Sequence, residues 1–290
     1  MTQIISALSE ISDRYEALFV DLWGCVHNGV TAFPEAVAAL QAYRATGGIV
    51  VLVTNAPRSR HEVAKQLVKF NVPEDAYDDI ATSGDSGRSA MFQGAVGSKV
   101  WFIGQPHDQP FFEPLSLIDN PVTIEQVALE EAEGIICCGP FNPHADPSEM
   151  RGQFLYAKQK GLKLLCANPD IVVDRGETRE WCAGALAQLY TEMGGESLYF
   201  GKPHPPIYDL ARRRLAALKP GIADIGILAI GDGPHTDIMG AMGEDIDSLF
   251  ITGGLARAET KTATNPDGAA LNDYLAKENI APQFSIGMLR

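Results

Sequence analysis

The chain has 290 residues, 46% hydrophobic and 21% charged, a globular balance that excludes a disordered chain. Lys and Arg number 23 against 37 Asp and Glu, and the formal net charge of −14 excludes nucleic acid and anionic lipid as general partners while leaving room for a local anion pocket. No stretch reaches the ~18 uncharged apolar residues of a membrane span, and the N-terminus carries acids and no basic run, so neither a membrane segment nor a secretory signal is expected. Chain order then gives an α/β alternation. A short apolar strand is expected at 17–22. A helix follows from Pro34 to Thr46, with Val37, Leu40 and Tyr43 on one face. IVVLVT (49–54) has the β-branched content of a buried parallel strand, and residues 58–70 read as a helix through Val63, Leu67 and Phe70. This is a βαβ unit.

Between 96 and 196 the alternation continues. SKVWFIG, EGIICCG and LKLLCAN are predicted strands. VTIEQVALEEA, PSEMRGQFLYAKQK and TREWCAGALAQLYTEMG are predicted helices. Beyond them come a helix over 205–218, strands at 226–231 and 248–252, a helix starting near His235, and a closing helix over 267–279 with Asp267 as N-cap. The expected fold is α/β: a doubly wound, Rossmann-like parallel-sheet core of residues 1–95 plus 197–290, with an inserted α/β cap domain over 96–196. The five cysteines (Cys25, Cys137, Cys138, Cys166, Cys182) have no metal-ligand spacing and sit mostly in apolar runs. They read as reduced core residues of a cytoplasmic protein.

In open parallel sheets, ligands bind beyond the carboxyl ends of the strands. Four polar clusters fall at such ends: Asp21; Thr54 and Asn55; Gly201, Lys202 and Pro203; and Gly231, Asp232 and Asp237. Carboxylates hold a hard cation such as Mg²⁺, and the cation with a lysine neutralises phosphate charge. A carboxylate can also attack phosphorus and form an aspartyl-phosphate. Each element alone has an ordinary reading as a cap, a turn or an exposed side chain. Their order and spacing point to phosphoryl chemistry.

Together, DLWGCVHNG (21–29), VTNAPRS (53–59), GKP (201–203) and GDGPHTD (231–237) resemble the four motifs of the haloacid dehalogenase superfamily. An insertion between the second and third motifs, with ANPDIVVDRG and GALAQLYTEMGG ahead of GKP, resembles the type IIA cap subfamily of pyridoxal, phosphoglycolate and nitrophenyl phosphatases. The resemblance implies a Mg²⁺ cofactor and a small phosphorylated substrate. It implies Asp21 as nucleophile and metal ligand and Asp232 as the second metal carboxylate. The carbonyl of Trp23 would be a further ligand, and Asp237 the acid that orients the metal shell. It implies Thr54, with Asn55 beside it, and Lys202 as the phosphate-binding groups. A homodimer through the cap is a further expectation of the subfamily.

The pattern breaks at Trp23. Phosphatases of this superfamily carry a second Asp there, which protonates the leaving oxygen, and indole cannot replace it. His27, on the turn after the first strand, is the candidate substitute for acid-base work; the alternative is a hydrogen-bonded loop histidine. Trp23 itself either stacks on a planar ligand or fills the place of the acid. In the cap, Asp170 and Arg175 are polar loop candidates for substrate contact. Trp181 is a third, with cap packing as its alternative. Arg58 reads as an exposed helix start, and His204 and His235 as structural. The leading function is a Mg²⁺-dependent phosphatase-like hydrolase lacking the usual acid. The alternatives are a weak or silent phosphate-ligand binding module, and a phosphotransferase whose aspartyl-phosphate turns over slowly.

Overall fold

The computed structural model describes residues 2–114, 120–175 and 178–290. Gly176 of the ANPDIVVDRG stretch lies outside them. The N-terminal part carries β1 (Gln3–Ile4), β2 (Ala17–Val20), α1 (Pro34–Ala45), β3 (Ile49–Thr54), α2 (Arg60–Lys69), β4 (Asp79–Thr82) and α3 (Ser83–Phe92). The middle carries β5 (Lys99–Ile103), β6 (Glu125–Gln126), β7 (Gly134–Cys137), α4 (Arg151–Gln159), β8 (Lys163–Cys166), β9 (Val172–Arg175), β10 (Thr178–Trp181), α5 (Ala183–Glu192) and β11 (Glu196–Tyr199). The C-terminal part carries α6 (Pro205–Leu218), β12 (Ile227–Gly231), α7 (Met239–Gly243), β13 (Asp247–Ile251), α8 (Gly268–Glu278) and β14 (Phe284–Ile286).

Two compact units result. The first comprises Met1–Thr54, Ala64–Ala81 and Tyr208–Arg290; the second comprises Asn55–Val63 and Thr82–Ile207. The first holds a seven-stranded sheet in the order β1-β14-β13-β12-β2-β3-β4. The pairs from β1 through β3 in that order are parallel. From β2 the chain steps outward to β3 and β4, then returns to β12 on the other side of β2 and steps outward again. The order therefore reverses between β2 and β12, which is the switch point of a doubly wound sheet. ALFV, IVVLVT and ILAIG are buried almost throughout, as central parallel strands covered on both faces must be. α1 begins with Pro34 at its first turn and buries Val37, Leu40 and Tyr43, the face expected from their spacing. α8 starts on Asp267, whose carboxylate accepts the Ala270 N–H, and ends at Asn279 in the left-handed region.

The second unit holds a five-stranded parallel sheet, β11-β8-β7-β5-β6, and an antiparallel hairpin of β9 and β10. Alternating residues feed two cores. Ile135 and Leu164 face Phe154, Leu186 and Tyr190; Ile136 and Leu165 face Met91 and Phe111. Cys137, Cys138, Cys166 and Cys182 lie in this unit, buried and free, and burial pushes each thiol up. They are packing groups, not nucleophiles. Among the described residues, no helix is long and apolar enough to cross a membrane.

Three local expectations change. VTIEQVALEEA is not a helix. Val122, Ile124, Val127 and Leu129 turn inward while their neighbours are exposed, and the backbone runs extended along β5, with the Glu125 N–H on Ser98 O at 2.8 Å and the Val127 N–H on Val100 O at 3.0 Å. The run had a period near two, and the sheet edge used it. TREW is β10 of the hairpin, and the helix starts only at Ala183. Residues 79–92, to which the sequence reading assigns no element, form β4 and α3. The α3 sequence SGDSGRSAMF is a poor helix former that is buried nearly all round. Its start is fixed by Thr82, whose hydroxyl accepts the Asp85 N–H at 2.8 Å. At Gly84 a side chain would overlap the Arg58 backbone.

Leu18 is fully buried in β2, three residues before Asp21. Leu18→Ala should cost about 2–5 kcal/mol of stability, read as a lowered urea midpoint with an unchanged slope.

Candidate active site

The switch point dictates the first cluster. β2 and β12 run parallel with Val20 opposite Ile230, and the Asp21 N–H extends the ladder onto Ile230 O at 2.8 Å. Asp21 and Asp232 therefore leave the same edge of the sheet from adjacent strands. On the other flank Val20 pairs with Leu52, so Thr54 closes β3 at that edge too. Asp21, Thr54 and Asp232 are buried, 6–8% exposed.

After Asp21 the chain turns back tightly. The Leu22 carbonyl accepts the N–H groups of Cys25, Val26 and His27, and Gly24 at φ +76° donates to His27 O at 2.9 Å. A Cβ at Gly24 would overlap Asp232 Oδ2, as would one at Gly254, and the Leu255 N–H donates to the same oxygen at 3.1 Å. Two glycines thus let main chain close over one carboxylate. Asp21, Asp232 and Cys25 bring one carboxylate oxygen each and the thiol sulfur within 4.8 Å of one another, all three buried. Two buried carboxylates this close fit a hard divalent cation, whose charge offsets their repulsion. Of the residues expected for Mg²⁺, Asp21 and Asp232 are brought together here. Cys25 was expected in the core, and nothing in the one-dimensional spacing marks it. Only the tight turn carries its sulfur to the carboxylates.

Asp237 has a different place. It lies on a single turn with π-type bonding, and its Oδ2 accepts the Gly233 N–H at 3.0 Å. A Cβ at Gly231 would overlap its carboxyl. Asp237 therefore folds the loop that carries Asp232, and is not one of the three clustered residues.

Trp23 and His27 form an aromatic brace. The rings meet edge to face with centroids 5.3 Å apart, and His27 meets Phe70 in the same way at 4.9 Å. Gly29, at φ +80°, lies so close to the indole that a Cβ would overlap it. His27 is 2% exposed, its Nδ1 accepts the Gly29 N–H at 3.0 Å, and burial pushes its pKa down to about 4. The imidazole is thus neutral near pH 7, with its proton on Nε2. That is the chemistry of a structural acceptor, not of an acid, and it runs against the expected role of His27 as a substitute for the missing Asp.

The second unit carries the other expected residues. The Asn55 amide clasps Lys202: its Oδ1 accepts the Lys202 N–H at 2.7 Å, and its Nδ2 donates to Lys202 O at 3.1 Å and to Asp170 Oδ1 at 2.8 Å. Gly201 is required there, since a Cβ would overlap Asn55 Oδ1. Lys202 is 3% exposed. Asn55, expected beside phosphate, is committed to the lysine loop. Asp170, expected as a cap-loop substrate residue, belongs to the same clasp. His204 stacks on Tyr199 at 4.8 Å, consistent with its structural reading. Arg175 and Trp181 sit on the β9–β10 hairpin. Arg175 pairs with Glu180 at 3.2 Å, and the Trp181 N–H donates to Pro143 O at 2.9 Å. His235 pairs with Glu278 at 3.0 Å on the surface.

The chain is similar to known proteins along nearly its whole length. The family profile for haloacid dehalogenase-like hydrolases matches residues 18–116, and a HAD-hydrolase-like profile matches 199–277. A solved haloacid dehalogenase-like hydrolase from Brucella suis 1330 is 37% identical, with a TM-score of 0.86 over 99% of this chain and 100% of that one. A possible sugar phosphatase from Cytophaga hutchinsonii is 19% identical, with a TM-score of 0.77 over 99% and 98%. A p-nitrophenyl phosphatase from Archaeoglobus fulgidus is 20% identical, with a TM-score of 0.68 over 94% and 96%. Among curated proteins, none matches this chain.

The unfolded chain protonates His27 near its ordinary 6.5 and the folded chain only near 4, so its stabilising contribution is complete above about 6.5 and is lost as pH falls between the two values. The loss should approach ~3 kcal/mol. Melting curves between about pH 7 and pH 4.5 should show a smaller acid shift in His27→Gln than in the wild type; equal shifts would contradict the assignment.

Proposed function

Because the chain belongs to the haloacid dehalogenase-like hydrolase family, we propose that it is a phosphoric monoester hydrolase of the type IIA cap subfamily, acting on a small phosphorylated metabolite in the cytoplasm. The observation that carries this reading is the buried Asp21–Asp232 pair at the switch point of the sheet. The names of the sugar and nitrophenyl phosphatases of like fold agree with it. The stretch 96–196 serves as the substrate-reading cap.

The roles follow the chemistry of the groups. An Asp21 oxygen attacks phosphorus, the ester P–O bond breaks, and the leaving oxygen takes its proton from water. Water then attacks the aspartyl-phosphate, freeing inorganic phosphate and the carboxylate, and its proton passes to solvent. The Thr54 hydroxyl and the Lys202 ammonium hold the non-reacting phosphate oxygens. Asn55 and Asp170 fix the backbone that carries Lys202, and Asp237 fixes the loop that carries Asp232. The Asp21 and Asp232 carboxylates and the Trp23 carbonyl would hold Mg²⁺, which supplies positive charge to the phosphate when bound.

Trp23 sets the specificity. Its indole can donate a hydrogen bond but cannot supply a proton. With His27 neutral and acting as a brace for the indole, no side chain of this turn protonates a departing alkoxide. Acyl and aryl phosphates, whose leaving groups need no acid, are the better substrates.

Phosphate release in the presence of Mg²⁺ should therefore be faster from an aryl than from an alkyl ester. Asp21→Asn should abolish both. Trp23→Asp should raise the alkyl-ester rate by roughly 10²–10⁴-fold and the aryl rate far less. Full activity in Asp21→Asn, or phosphate binding without any turnover, would overturn the proposal.

A further inference from the structure

Cys25 has no part in that mechanism, yet its sulfur is the third member of the buried cluster with Asp21 and Asp232. It is fully buried, so neither oxidants nor a protein partner reach it readily. The turn after β2 fixes its place through the shared Leu22 carbonyl and the left-handed Gly24. A Zn²⁺-class ion with bonds of about 2.0–2.3 Å has ligand–ligand edges of roughly 3.3–3.8 Å. The three candidate ligand atoms lie within 4.8 Å of one another, so each edge would have to shorten by at most about 1.5 Å to close the set around one ion. The donors are chemically mixed. Carboxylates suit Mg²⁺, whereas a thiolate prefers a softer, thiophilic cation.

We propose that Cys25 turns this centre into a mixed oxygen–sulfur site that captures a thiophilic divalent cation of the Zn²⁺ class in competition with Mg²⁺. The proposal rests on reading Asp21 and Asp232 as the cation centre. On capture the S–H bond breaks, a sulfur–metal bond forms, and one proton per chain passes to solvent. Four other cysteines lie in the second unit, so it is the loss of the sulfur signal in a Cys25 variant that identifies Cys25 as its source.

The test uses the full-length chain freed of metal by chelation and titrated with Cd²⁺ as the thiophilic probe. Two readouts are followed: the ultraviolet sulfur-to-cadmium charge-transfer band, and Mg²⁺ binding by calorimetry. The wild type should show one sulfur–cadmium band per chain, released proton, and weakening of Cd²⁺ binding by excess Mg²⁺. Cys25→Ser should lose the band, keep Mg²⁺ binding, and weaken Cd²⁺ by at least the roughly 10–100-fold that loss of even an outer partner costs. Cys25→Ala repeats the test, and melting curves confirm that both variants fold. A band that persists unchanged in both variants overturns the proposal. So does Mg²⁺ binding with no band in the wild type, which leaves the phosphatase reading standing. Failure of the wild type to bind either ion overturns both.

Discussion

The parallel pairing of β2 with β12 is the constraint on which the chemistry of the first unit depends. These strands are remote in sequence and adjacent in space because the sheet reverses its winding between them. A parallel register sends both chains out of the same edge, so a carboxylate one residue past Val20 and another one residue past Gly231 face a common crevice. Antiparallel pairing would have put them at opposite ends. Two carboxylates brought this close suit a divalent cation, whose charge offsets their mutual repulsion. Gly24 and Gly254 follow from the same demand: main chain approaches Asp232 so closely that no side chain fits at either position.

The turn from Asp21 to Gly29 packs around an indole. Trp23 stands where the resemblance implies an acid, and its surroundings are built to hold a large ring. Gly29 makes room for the ring, and His27 and Phe70 brace it edge to face. His27 looks reactive as a letter in a sequence, but desolvation removes its charge near neutral pH.

Sequence pattern made much of this legible. The near-continuous apolar runs of β2, β3 and β12 are unambiguous, and the polar residues just beyond them are where chemistry collects in such sheets. What was not legible depends on partners distant in the chain. VTIEQVALEEA has acids and apolar residues enough for a helix, and the open edge of β5 selects its period near two as extended backbone. The α3 segment has serines and glycines that argue against a helix, and burial overrides them. Cys25 and Asn55 show the same limit at the site. One sits in an apolar run yet reaches two carboxylates; the other sits beside a phosphate-type threonine yet spends its amide on Lys202.

The Asn55 clasp has a consequence for how this chain can change. One amide side chain, bonded to both the N–H and the carbonyl of Lys202, ties together positions 147 residues apart. Everything between them is a closed loop whose two ends are held at one point. The entropy of closing such a loop grows only with the logarithm of its length, by about 0.6 kcal/mol per doubling. Changes of loop length within the segment therefore cost this closure little, whereas β4 of the seven-stranded sheet and Asp170 of the clasp itself are fixed parts of it. The clasp is a socket: the loops of the segment it closes can vary in length while the backbone of Lys202 stays held.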